Sequence, residues 1–326
     1  MRIAIRPPST HGIIKAWLPL ACAATLLGPG MAHAADPDSC KAVRFSDVGW
    51  TDITSTTAAT SVVLEGLGYA PQVEILAVPV TYASMKNGDI DVFLGNWMPT
   101  MEADVRPYLD DGSVESTGVN LEGAKYTLVV PTYLAEQGLK DFADIAKFSE
   151  QLDNQIYGIE PGNDGNRLIL DMIAQDTFGL GGFELVESSE QGMLAQVARA
   201  GRSEDAIVFL GWEPHPMNAN FDLTYLSGGD DVFGPNYGGA TVYTNVRAGL
   251  LQECPNLGNL LSNLTFTLAM ENEIMGAILN DGEEPNAAAT AWLKAHPEVL
   301  DGWLEGVTTF DGGDAAAAAK EHLGLS

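Results

Sequence analysis

Basic residues are scarce in this chain of 326: 16 Lys and Arg stand against 44 Asp and Glu, for a formal charge of -28 and a pI near 4.2. A field of that sign repels phosphate backbones and anionic headgroups, which excludes nucleic acid as a natural partner. Only 18% of residues are charged and 46% are hydrophobic, a mixture that builds a sizeable core and excludes disorder. Enzyme signatures are missing as well. The chain has no G-x-S-x-G elbow, no P-loop, no H-E-x-x-H and no cysteine pair at zinc spacing. Gly66-Leu67-Gly68 lacks the third glycine of a dinucleotide site, and Asp311-Gly312-Gly313-Asp314 lacks the spaced acids of a calcium loop. No catalytic residue, metal or cofactor is therefore assigned. His215, His296 and His322 are read as structural or surface residues.

No apolar run reaches the roughly 20 residues of a membrane span. The longest, Ala16 to Leu27, follows Arg2, Arg6 and Lys15 and precedes Ala32-His33-Ala34. Basic region, short apolar region and small-x-small site in that order read as a secretory signal peptide over residues 1–34, and an exported, periplasmic mature protein. Of three cysteines, Cys22 lies in that segment. Cys40 and Cys254 remain, and in an oxidising compartment they are expected to pair.

The chain also repeats itself. Val92-Phe93-Leu94-Gly95-Asn96-Trp97-Met98-Pro99-Thr100-Met101 and Val208-Phe209-Leu210-Gly211-Trp212-Glu213-Pro214-His215-Pro216-Met217 share five ungapped identities, with the tryptophan displaced by one. In each half this block is the third strand-like run, after Val43–Val48 and Val73–Pro79 in the first and Gln155–Glu160 and Phe183–Glu187 in the second. Helical stretches lie between them, Thr54–Leu67 closing at Gly68 and Asn166–Phe178 closing at Gly179. Strands alternating with helices predict βαβ units and parallel sheets. The expected fold is α/β, two doubly wound lobes of the type II periplasmic binding protein architecture. A further strand at Thr241–Val246 and a helical C-terminal region predict a return to the first lobe: residues 35–122 with 241–326 as lobe I, 123–240 as lobe II, and two crossing segments as the hinge.

In such sheets, groups beyond the carboxyl ends of strands line the ligand crevice. Asp52 stands 16 residues before Gly68 and Asn163 stands 16 before Gly179, which places them across a common cleft. Trp50, Trp97 and Trp212 each follow a hydrophobic strand into the same cleft, whereas Trp292 and Trp303 fall on helical patterns and read as core. Three aromatic faces with an acid suit a weakly hydrated cation such as a quaternary ammonium, each desolvated face contributing on the order of 2 kcal/mol.

At Val48-Gly49-Trp50-Thr51-Asp52, Gly95-Asn96-Trp97-Met98-Pro99, Gly123-Ala124-Lys125-Tyr126 and Leu210-Gly211-Trp212-Glu213-Pro214 the chain resembles the periplasmic choline-binding proteins of ABC importers, in the family that also binds glycine betaine and proline betaine. The resemblance covers essentially the whole mature chain. It implies an aromatic box of Trp50, Trp97, Tyr126 and Trp212, polar contacts from Asp52 and Asn163, and a monomer that delivers choline to an inner-membrane permease. Tyr126 comes from the resemblance alone, since Tyr126 to Pro131 reads as an ordinary strand. Choline offers a hydroxyl that Asp52 or Asn163 could accept. Betaine's carboxylate needs donors, for which Arg167 and Lys125 are the candidates if they point inward. An exported enzyme acting on choline esters, and a sensor domain for osmolytes, would use the same cleft.

Overall fold

A computed structural model describes residues 35–325; residues 1–34, read from the sequence as a signal peptide, lie outside them. Alternation of apolar strands and helices produces β1 (Ala42–Asp47), α1 (Thr51–Gly66), β2 (Ala70–Ile75), α2 (Val78–Asn87), β3 (Val92–Met98), α3 (Glu102–Asp110) and β4 (Val114–Pro131). After these come β5 (Gln155–Tyr157), β6 (Glu184–Val186), β7 (Phe209–Glu213), β8 (Leu223–Tyr225) and β9 (Gly239–Arg247). The strands join in the order β2-β1-β3-β9-β4-β7-β5-β6, with β8 on β4.

That order reads the same from either end. β1 pairs in parallel with β2 and β3, and β5 with β6 and β7, so each half has its first strand between its second and third. Each trio ends on an antiparallel partner, β9 for β3 and β4 for β7, and these two pair with each other. The architecture is the expected two-lobed α/β fold, with two differences. The sheet is mixed rather than purely parallel, because the crossing segments are themselves strands. And β4 is 18 residues long, well beyond the Tyr126–Pro131 run, since its first part is broken by Gly118 and Gly123 and alternates charged with apolar residues.

The displaced tryptophan has a geometric cause. The register of β3 on β9 slips between Phe93 and Asn96, where β3 carries the extra residue of a bulge. Past the bulge, Trp97 corresponds to Trp212 and Pro99 to Pro214, both prolines in cis.

Helix lengths correct a second correspondence. α1 has 16 residues, whereas the helix Asp164–Ala174 has 11 and Gly179 belongs to a separate short turn. Counting back from the glycines therefore misaligns the helix starts by two. Aligned on their caps, Asn163 matches Trp50, and Asp52 matches Gly165. α1 is almost wholly buried, against helices Leu268–Leu279, Pro285–Ala295 and Ala315–His322 of the C-terminal region. Trp303 lies in the core as expected, but Trp292 is only half-buried, its indole N–H donating to Glu273 at 2.7 Å.

Cys40 and Cys254 form a disulfide with Cα atoms 5.7 Å apart. Beside it, the buried Asp36 carboxylate accepts from the backbone N–H groups of Asn256 and Leu257 at 2.9 Å each and from Tyr69 Oη at 2.8 Å. It thereby satisfies the free donors that begin the helix Pro255–Asn263.

Candidate functional site

Between β1 and α1 the chain must reverse within a few residues. Gly49 adopts φ +84°, a left-handed conformation open to glycine without strain. Asp47 clamps the turn, one carboxylate oxygen accepting from Gly49 N–H and the other from Thr54 Oγ1, both at 2.7 Å. The turn delivers Trp50 to the cap position of α1 and Asp52 to its first turn. β3 delivers Trp97 after its bulge. Tyr126 on β4 and Trp212 on β7 are direct cross-strand partners, so their rings share one face of the sheet. Asn163 caps the helix Asp164–Ala174, accepting from Asn166 N–H at 3.0 Å.

These side chains meet around a cavity lined by Trp50, Asp52, Trp97, Tyr126, Ile159, Asn163, Asp164 and Trp212. All six residues singled out in the sequence as ligand contacts are in its wall. Tyr126 stands edge-on to its neighbours, with centroids 6.1 Å from Trp97 at 62° and 6.2 Å from Trp212 at 80°. Rings at such steep angles to one another form the corner of a box around the cavity. Hydrogen bonds at the ring edges hold them there: Trp97 Nε1 to Asp52 Oδ2 at 3.1 Å, Trp50 Nε1 to Glu160 Oε1 at 2.8 Å, and Tyr126 Oη to Asn163 Oδ1 at 2.8 Å.

The polar atoms divide into used and free. Asn163 Oδ1 accepts from both Tyr126 and Asn166, and its amide donates to Asp164 Oδ1 at 3.2 Å. It has no acceptor left for a ligand hydroxyl. Asp52 Oδ1 is buried and has no hydrogen-bond partner among the described residues. Of the two acceptors suggested by the sequence, the structure therefore favours Asp52.

The cavity wall carries two acids, Asp52 and Asp164, and no lysine or arginine. Burial, reinforced by the Glu190 carboxylate, pushes the Asp52 carboxyl up to about 8. Burial likewise takes Glu160 to about 7 and Asp164 to about 6. Glu271, buried behind α1 near Asp52, is raised well above the ordinary range by burial and then by the Asp52 charge. Such a site gains most from a cation, which stabilises the ionised form of each acid it faces. The candidate donors point elsewhere. Arg167 donates to the Thr100 carbonyl and to Asp104, at 2.9 Å each, and Lys125 pairs with Glu213 at 2.9 Å over the ring of Tyr225.

Asp164, Ile159 and the bracing Glu160 went unread in the sequence, although Asp164 adjoins Asn163. His215, inside the repeated block, is buried and packs edge-on against Trp212, centroids 4.9 Å apart. Among the described residues, no group of three or more His, Cys, Asp or Glu side chains could hold a metal ion. No helix there is long and apolar enough to cross a membrane.

Gly165 permits the closest approach in the site. A Cβ there would overlap the Tyr126 hydroxyl and sit 2.6 Å from the ring carbon that bears it. Gly165→Ala, at a helix position where alanine is intrinsically favourable, should leave the fold intact but tilt Tyr126 out of the box. The expected loss is about 1–3 kcal/mol of ligand binding, the usual scale of overpacking. Titration calorimetry checks it, and unchanged affinity would mean that Tyr126 does not form a wall of the site.

Four similarities to known proteins bear on this cavity. The family model for the substrate-binding domain of ABC-type glycine betaine transport systems matches residues 41–295. An ABC-transporter choline-binding protein in complex with choline is 69% identical, with TM-score 0.88, over 88% of this chain and all of that one. In an unliganded semi-closed conformation, with the same identity and coverage, the TM-score is 0.82. Lactococcal OpuAC, closed on glycine betaine, is 27% identical with TM-score 0.73, over 81% of this chain and 99% of that one.

Proposed function

The chain belongs to the family of substrate-binding domains of ABC-type glycine betaine transport systems, and from that premise we propose that it captures choline between its lobes and presents it to an ABC permease. The observation that carries this reading is the combination of an aromatic box with a free buried carboxylate oxygen, Asp52 Oδ1. A trimethylammonium group fills such a box without losing hydrogen bonds, because it makes none with water. Three or four desolvated faces offer about 6–8 kcal/mol before immobilisation and closure are subtracted. Micromolar affinity corresponds to about 8 kcal/mol, so the remaining contacts, including the ligand hydroxyl on Asp52, must offset those costs.

The similarity to the choline-bound relative supports this choice of ligand, and the closer backbone match to it than to the semi-closed form supports a closed arrangement. Glycine betaine fits the same aromatic faces and is the ligand in the OpuAC structure. Its carboxylate would face Asp52 and Asp164 with neither Arg167 nor Lys125 in reach. The lobes run over 35–122 with 241–326 and over 123–240; in support, β4 leaves β9 and joins β7 at Lys125. Residues 1–34 direct export to the periplasm, and the monomeric protein acts by binding and release, without catalysis, cofactor or metal.

Titration of the ligand-stripped mature protein with choline and then glycine betaine tests the reading. Tight choline binding with betaine at least tenfold weaker is expected; equal or tighter betaine binding would move the substrate to the osmoprotectant branch. Asp52→Asn sharpens the test, because its amide oxygen still accepts from Trp97 Nε1 while an NH2 donor replaces the free oxygen and the charge is removed. Choline should lose about 1–2 kcal/mol, in the range of a charge-assisted contact, and betaine should lose less or gain. Equal losses would show that Asp52 does not set selectivity.

A further inference from the structure

Glu190 lies outside the cavity wall, and it is buried to 1% exposure at the start of the helix Glu190–Ser203. Across the cleft its Oε2 accepts from the backbone N–H of Thr51 at 2.8 Å, and its Oε1 accepts from Thr51 Oγ1 at 2.5 Å. Oε1 also faces His215 Nε2 at 3.2 Å. The tautomer follows from the other side of the ring, where Nδ1 accepts from Met217 N–H at 2.9 Å. The ring hydrogen therefore sits on Nε2 and points at Glu190.

We propose that Glu190 is the latch of the closed form, a positioning residue that touches no ligand but holds the box shut by joining the Trp50–Asp52 turn of one lobe to the His215–Trp212 pair of the other. Thr51 stands between two cavity residues, and His215 packs on a third. The carboxylate thus couples the aromatic walls of both lobes through a layer one residue behind them. Its donors are complete in the closed form, so a charge that would be costly alone is satisfied there. On opening, Thr51 leaves Glu190, which stays paired with His215 within its own lobe, and water takes over the two bonds from Thr51. The interaction stabilises the closed form only. Glutamine is a poor substitute, since each carboxylate oxygen meets an N–H donor and one side of an amide would oppose one of them.

The latch rests on the reading that the lobes close over a ligand. Its test is stopped-flow release, followed by tryptophan fluorescence, with whichever of choline and glycine betaine the wild-type protein binds; rejection of choline would overturn the ligand assignment and leave the latch testable. Glu190→Gln is expected to raise the dissociation rate roughly tenfold to a hundredfold, the range set by a hydrogen bond to a charged group, with the association rate changed less than about threefold. Thr51→Ser should behave as wild type, and Thr51→Val should show a smaller rise. Melting of the ligand-free protein should be unchanged while the ligand-induced upward shift shrinks. An unaltered dissociation rate in Glu190→Gln, or a ligand-free melting point that falls as far as the liganded one, would overturn the latch.

Discussion

Replacing Trp97 by alanine should weaken choline binding by about 2–4 kcal/mol, at the upper end of what one desolvated aromatic face and its packing contribute. Two losses combine. The ligand loses a π-face, and Asp52 Oδ2 loses the indole N–H it accepts from, which leaves that carboxylate with both oxygens unpartnered in a buried cavity. Trp97→Phe separates the two effects, because it retains most of the face and removes only the donor. It should lose about half as much, by the typical size of one hydrogen bond to a charged group. Circular dichroism should be unchanged in both variants, since Trp97 sits at the exit of β3 rather than in either trio's core. Wild-type affinity in Trp97→Ala would remove the box assignment, whatever the behaviour of the other rings.

Loss of the Cys40–Cys254 bond should produce the largest change in stability. The bridge closes a sequence separation of 214 residues, for which loop-closure entropy alone gives a ceiling of about 5 kcal/mol, with about 2–4 typical of measured bridges. Cys40→Ser with Cys254→Ser should therefore lower the melting temperature by roughly 3–7 °C. Choline affinity should change little, since the bridge is remote from the cavity and the Asp36 carboxylate still holds its neighbours, Asn256 and Leu257. Differential scanning calorimetry with and without ligand checks both parts. A melting point within about 1 °C of wild type would mean that the hydrogen bonds around Asp36 alone secure the N-terminal segment, since a shift that small corresponds to under 1 kcal/mol.

The site was legible where local pattern and tertiary position coincide. Trp50, Trp97 and Trp212 each follow an apolar strand, and a strand's end in an open α/β sheet is the cleft. The repeat exposed the equivalence of two of them, although only the β3 bulge explains their offset. Asp52 and Asn163 are paired by counting from glycines that turn out not to be equivalent, yet both line the cavity because one count ends in the first turn of a helix and the other at a helix cap facing the same space. Tyr126 was hidden in the long β4, whose glycines and charges obscured all but its apolar end. Glu160, Asp164 and Glu190 could not be picked out among 44 acids. What distinguishes them is burial, a property of the two lobes together rather than of any window of sequence.

The position of β9 sets the order in which the molecule can be completed. It is inserted between β3 and β4, which precede it by more than a hundred residues, and the helices that cover α1 come later still. The second trio can assemble on β4 as soon as β7 is present, but β3 keeps an open edge and α1 an uncovered apolar surface until β9 and the C-terminal helices join them. Pairings of such long range are slow to close, and the intermediates that await them expose sticky strand edges. The N-terminal half of the chain is thus the last to be finished, and its exposure to aggregation lasts until the C-terminal region is in place.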